Sequence, residues 1–162
     1  PDSCDVRSVQ TGEEAIEEYT HHPDLVIADR KLNGMSGDEV AVRVKAEHKR
    51  QLILCVSGVE PDNDIYELRY DDYIHKPIEE DELKARVELL FSRAELEATE
   101  RTYLSLRSKQ IALTAARGKS ATKMTGYQDC TAQIEDLGLS AEQKQTLEPL
   151  LPSTADDSHP RL

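Results

Sequence analysis

The sequence predicts an α/β fold with an open parallel sheet, followed by an all-helical C-terminal module. Three observations carry this. Short apolar runs alternate with amphipathic stretches over residues 1–92. Two of those runs, in "DLVIAD" and "LILCVSG", are continuously apolar, as in strands covered on both faces. After about residue 93 no strand-like run recurs.

The elements follow in order. "CDVRSVQ" (4–10) reads as a half-buried strand, and "TGEEAIEEYTHH" (11–22) opens a helix through a capping pair, Thr11 and Glu14. Pro23 stops that helix, and "DLVIAD" (24–29) is a strand buried on both faces. "SGDEVAVRVKAEHKR" (36–50) is a helix capped by Ser36 and Glu39, and "LILCVSG" (52–58) is the next strand. Pro61 begins a short helix through Arg69, "DYIHKP" (72–77) is a strand, and "EEDELKARVELLFSRAEL" (79–96) is a strong helix.

From there to residue 117 the pattern stays helical, with neither Gly nor Pro. Leu83, Leu90, Leu104 and Ile111 share a seven-residue spacing, an imperfect coiled seam. "RGKSATKMTG" (117–126) reads as a loop. A further helix, "YQDCTAQIEDL", ends at Gly138, and "SAEQ" (140–143) caps a last one that Pro149 ends. Residues 152–162 read as a disordered tail.

Bulk properties exclude several classes. A formal net charge of −12, a pI near 4.8 and 4% aromatic residues argue against a general binder of nucleic acid or anionic membrane. The three cysteines, Cys4, Cys55 and Cys130, show no metal-ligand spacing and no paired framework, which fits a reducing cytoplasm. No run reaches the length of a membrane span and no signal peptide is visible.

In open parallel sheets, functional side chains collect at the carboxyl ends of the strands. Asp29, Ser57 and Lys76 each stand at or just past such an end. Asp29 alone has a bland explanation, because loops are polar. A carboxylate, a hydroxyl and an ammonium delivered to one edge by three strands are a more specific combination.

The motifs "DLVIADRKLNGMSG", "LILCVSG" and "DDYIHKPI", in that order, resemble the receiver domain of two-component response regulators, a flavodoxin-like α/β fold, over residues 1 to about 92. The resemblance implies that Asp29 is the phospho-acceptor, attacking the phosphorus of a sensor histidine kinase's phosphohistidine. Lys76 would pair with the acceptor and then the phosphoryl group, Ser57 would be the switch hydroxyl, and Tyr73 the switch aromatic. Lys31 would offer its backbone carbonyl to Mg²⁺, alongside Asp29, and Pro77 would follow a cis peptide bond. The physics agrees: a carboxylate attacks a phosphoryl anion only where cations neutralise charge and donors fix the geometry.

The chain departs from the family at Asn33, where Pro is usual, and at Gly58, where Ala is common. More seriously, it starts just before the family's second strand. The first strand, its acidic Mg²⁺-binding pair and the first helix are missing, and Asp71–Asp72 is no substitute. The expectation is an N-terminally incomplete receiver, with "CDVRSVQ" lacking a partner and an apolar face opened. Mg²⁺ is implied only if the acidic pair is present in the full protein.

Residues 93–151 resemble the HalX domain, a helical module that follows receivers in halophilic archaea, through "YLSLRSKQIALTAARGKS" and "GYQDCTAQIEDL". Residues 101–128 carry six basic side chains (Arg101, Arg107, Lys109, Arg117, Lys119, Lys123) and no acidic one. The plain expectation is a solvated face pairing with the chain's own carboxylates; the sharper one is a docking site for an acidic partner or nucleic acid, which is not favoured. Taken together the sequence implies a cytoplasmic switch rather than an enzyme, with a kinase as input, an unknown output partner and self-association open. Its rivals are a phosphate-independent interaction scaffold, and a transcriptional regulator acting through residues 101–128. An aspartyl-phosphate hydrolase ranks low, because Lys31 stands where a second Asp is needed.

Overall fold

A computed structural model describes residues 4–153. Three parallel strands, β1 (Leu25–Ala28), β2 (Leu52–Ser57) and β3 (Asp72–His75), pair in the order β1-β2-β3, with Leu25 beside Leu52 and Leu54 beside Asp72. The central strand β2 is buried along its whole length. Its alternation sorts the core into two layers. Ile53 and Cys55 join Ala28, Tyr73 and the apolar face of α2 (Gly37–Glu47) on one side. Leu52, Leu54 and Val56 join Ile74 and α3 (Glu80–Ser92) on the other.

Capping chemistry starts the helices where the sequence implies. Thr11 and Glu14 close a capping box on α1 (Gly12–Glu18), Ser36 and Glu39 on α2, and Ser140 and Gln143 on α6 (Ala141–Leu147). α4 (Ala98–Arg117) and α5 (Thr125–Asp136) complete the set, and the backbone turns at Gly138 with φ +67° after α5.

The C-terminal helices share the core of the sheet. Leu113 of α4 and Ala121 of the following turn sit in the same cluster as Ile53, Tyr70 and Tyr73. A second cluster joins Tyr103, Leu104 and Leu106 of α4 to Cys130 and Ile134 of α5 and Leu147 of α6. Buried charges brace the start of β3 against α2 and α3: Lys45 pairs with Asp71 at 2.8 Å and Arg86 with Asp72 at 2.7 Å. Asp71 and Asp72 are thereby spent on structure.

Several expectations are corrected. Residues 4–10 form no strand and are mostly exposed, because no neighbouring strand offers them a ladder. β1 is not covered on both faces: Ile27 is 50% exposed on the layer shared with α3. The helix expected from Pro61 to Arg69 contracts to a single 3-10 turn at Asn63–Tyr66. α3 ends at Ser92, and a turn over residues 93–97 separates it from α4. The seven-residue spacing therefore spans a break. Leu83 and Leu90 pack beneath the sheet while Leu104 packs on α5, so no coiled seam forms.

The basic stretch is not one solvated face either. Arg101 and Lys109 are buried, Arg107 bonds Gln110, and Arg117 pairs with Glu60. Helical geometry distributes Arg101, Arg107, Lys109 and Arg117 around α4, and Lys119 and Lys123 are exposed, with no ion pair among the described residues. The tail expected over residues 152–162 lies, from residue 154 on, outside the described residues.

Candidate functional site

At the carboxyl end of the sheet, β1 runs out one residue before Asp29, β2 ends on Ser57, and β3 ends one residue before Lys76. The parallel register brings the three together. Asp29 Oδ2 accepts from Lys76 Nζ at 2.7 Å, and Oδ1 accepts from Ser57 Oγ at 2.6 Å and from the Lys31 N–H at 3.0 Å. The Lys76–Pro77 peptide bond is cis. Lys76 N–H also donates to the Ser57 carbonyl at 2.9 Å, extending the β2–β3 pairing to the site.

Burial works against ionisation of Asp29, but hydrogen bonds from Lys76, Ser57 and Lys31 outweigh it, and the carboxyl is held below its usual value. It is thus a charged, partly exposed carboxylate with an ammonium on one oxygen and two donors on the other. That arrangement can stabilise charge on a group attached at Asp29.

Gly37, the first residue of α2, abuts this strand end. A Cβ there would run into the carbonyl of Asp29 and would stand 3.2 Å from the Tyr70 hydroxyl. Only glycine lets the helix start so close to the end of β1.

Tyr73 is not brought to Asp29. Its ring is buried in the core, where burial pushes its phenol up to about 12, and its hydroxyl donates to the Val59 carbonyl. Its connection to the site is indirect, since the Val59 N–H donates to Ser57 Oγ at 3.3 Å.

Sequence reasoning missed Arg30. Its guanidinium grips Asp38 of α2 with Nε and Nη2 (3.0–3.2 Å) and reaches Asp64 at 2.6 Å, while Tyr70 donates to Asp38 at 2.7 Å. Burial opposes the guanidinium's charge, yet the two carboxylates more than offset this and raise its pKa. The available signal was a charged side chain directly after Asp29 at the end of an apolar strand.

A divalent cation fits these residues poorly. Both oxygens of Asp29 are already engaged, the Lys31 carbonyl is the one further ligand the sequence suggests, and no group of three His, Cys, Asp or Glu residues suited to a metal occurs among the described residues. A hard cation seeking six oxygens finds too few here.

The response regulator receiver domain matches residues 1–88, slightly more than half of the chain. The chain belongs to that family. Its receiver region resembles a solved "signal receiver domain of putative Luxo repressor protein" from Vibrio parahaemolyticus at 29% identity and a TM-score of 0.51, covering 56% of this chain and 73% of that one.

Among curated proteins, a Haloferax volcanii protein named "Putative transcriptional regulator" is 30% identical over 130 residues, 80% of this chain and 22% of the relative. The alkaline phosphatase synthesis transcriptional regulatory protein PhoP of Bacillus subtilis is 33% identical over 98 residues, 58% of this chain and 41% of the relative. The chain thus spans less than half the length of these curated relatives. Receiver and flavodoxin-like parallel sheet stand as expected, and so does a place in two-component signal transduction. No helix of the described residues is long and apolar enough to cross a membrane.

Proposed function

We propose that this receiver accepts a phosphoryl group on Asp29 from the phosphohistidine of a sensor histidine kinase, and that its C-terminal helices form a HalX-like output module in a cytoplasmic regulator. In the transfer, a carboxylate oxygen of Asp29 bonds to phosphorus, the P–N bond to the imidazole breaks, and the departing nitrogen takes a proton. Lys76 holds the charge of the entering phosphoryl group. Ser57 and the Lys31 N–H, freed from the carboxylate oxygen they now share, turn to its oxygens.

The observation that supports this most is the convergence of Lys76, Ser57 and Lys31 on Asp29, at 2.6–3.0 Å, within a chain of this family. Receivers commonly use Mg²⁺ in the transfer. The described residues offer too few ligands for it, so no step above depends on it. The helical module is supported by the Haloferax volcanii alignment, whose 130 residues extend past the 88 matched as receiver.

The test is incubation of the chain with Mg²⁺ and acetyl phosphate, followed by intact mass. Gain of one phosphoryl group, absent in Asp29→Asn, is expected. Label that persists in Asp29→Asn moves the acceptor elsewhere. The sparse cation ligands favour one second reading, a phosphate-independent scaffold. In that case neither protein takes label while both remain folded.

A further inference from the structure

Arg50 lies just before β2, at the amino end of the sheet, whereas Asp29 and Ser57 stand at the carboxyl end. Arg101 lies in the first turn of α4. The two residues interlock. Arg101 Nη2 donates to the Arg50 carbonyl at 2.6 Å, and Arg50 Nη2 donates to the Ala94 carbonyl at 2.9 Å and more weakly to that of Leu96 at 3.4 Å. The loop between α2 and β2, the turn over residues 93–97 and α4 thus meet at two guanidinium groups.

Neither guanidinium has a counter-charge. The chain carries 32 acidic residues against 20 basic ones, yet no carboxylate of the described residues comes within ion-pair distance of Arg50 or Arg101. Asp24 and Glu47 border the same shallow depression as Arg50 without pairing with it. Asp71 acts on Arg101 only from a distance, because Lys45 and the Ile53 N–H already hold it, each at 2.8 Å. Burial lowers the pKa of Arg101, and the charge of Arg50 lowers it further. Arg101 is 9% exposed, and its Nε is closed off from solvent with no hydrogen-bond partner. Among the described residues no other buried side-chain nitrogen or oxygen is left so. An unsatisfied buried donor beside a second cation is costly, and an ordered water or an ion is what relieves it.

We propose that Arg50 and Arg101 form a binding site for a small oxyanion of the phosphate class, remote from Asp29. A guanidinium presents its N–H groups as a planar fork that matches two oxygens of such an ion, a match that a spherical halide cannot make. Arg101 Nε takes an oxygen from the inner side. Arg50 is exposed and is held to the turn through Nη2, so its Nε and Nη1 serve the outer side. The same exposure lets Arg50 move aside to admit the ion. Once bound, the ion ties the loop before β2 to α4.

The test follows the Arg101 Nε–H resonance of the isotope-labelled chain by NMR as inorganic phosphate is added, with chloride holding the ionic strength constant. A saturable shift is expected with phosphate and with sulfate, and none with chloride alone. Arg50→Gln is expected to weaken binding about tenfold or more, and Arg50→Lys, which keeps the charge, to weaken it less. No shift, as when a buried water already satisfies the Nε, overturns the proposal. So does a shift that chloride reproduces, or one that keeps its full affinity in Arg50→Gln. A response at Lys76 in place of Arg101 puts the ion beside Asp29 and overturns it too.

Discussion

Arg93 donates from Nε and Nη2 to the carbonyl of Leu150, at 3.0 and 2.7 Å, across 57 residues of sequence. The guanidinium is 2% exposed and also reaches the Asp71 carbonyl and Ser108 Oγ at 3.3 Å. One side chain from the turn after α3 therefore ties the start of β3, the middle of α4 and the turn after α6. Arg93→Met leaves these acceptors unpartnered in the interior. A loss of about 3 kcal/mol in urea unfolding is expected. A loss below about 0.5 kcal/mol would show that the three elements hold together without it.

Gly37→Ala tests the approach of α2 to the end of β1. The added methyl meets backbone at Asp29, which cannot move aside as a flexible side chain can. A cost of about 1–3 kcal/mol by thermal unfolding is expected. Gly58→Ala serves as the control, since a Cβ at Gly58 meets nothing within 4 Å.

Asp29 gives a pH signature. Its carboxyl is held below its ordinary 3.8 in the folded chain, although burial alone would raise it. The unfolded chain therefore binds that proton more readily. The stabilisation is complete above 3.8 and fades as acid takes the pH down through the lower folded value. The difference in urea midpoint between the chain and Asp29→Asn is expected to shrink over that acid range. A difference that stays constant with pH would mean that the carboxylate gains nothing from Lys76, Ser57 and Lys31.

Lys109 gives the alkaline counterpart. Burial presses its ammonium down to about 8 from 10.5, while its hydrogen bond to Leu68 keeps it in place. Above pH 10.5 the group is neutral in both states, and as pH falls toward 8 the unfolded chain takes up the proton first. Relative to Lys109→Met, the chain is expected to gain stability as pH rises from about 8 to 10.5. A parallel pair of curves would place Lys109 in water.

The thiols separate by burial. Cys55 is pushed up to about 12 and Cys130 to about 11, both chiefly by burial, whereas Cys4 is exposed. Under native conditions at neutral pH a disulfide reagent is expected to modify Cys4 within minutes and the other two only after denaturation. Fast modification of two or more thiols in the folded chain would contradict the packing around β2 or α5.

The site was more legible than the frame around it. Asp29, Ser57 and Lys76 could be placed on one edge from apolar runs and parallel connections alone, because strand ends and short loops are local features. Arg30 was not legible, since its partners Asp38 and Asp64 lie 8 and 34 residues away. The helix expected after Pro61 failed for a related reason. Lys109, Arg117 and Gly126 hold that segment from the C-terminal helices, and propensity cannot see them.

The sequence by itself determined the local chemistry: the capped starts of α1, α2 and α6, the buried run of β2, and a carboxylate, hydroxyl and ammonium at three strand ends. Only the tertiary structure decided which face of α4 is buried, that residues 93–97 break the helical run, and that two basic side chains read as surface point inward. Capping and periodicity act within a few residues. Burying a charge such as Arg93 or Lys109 depends on carbonyls supplied from distant parts of the chain, and only folding brings those within reach.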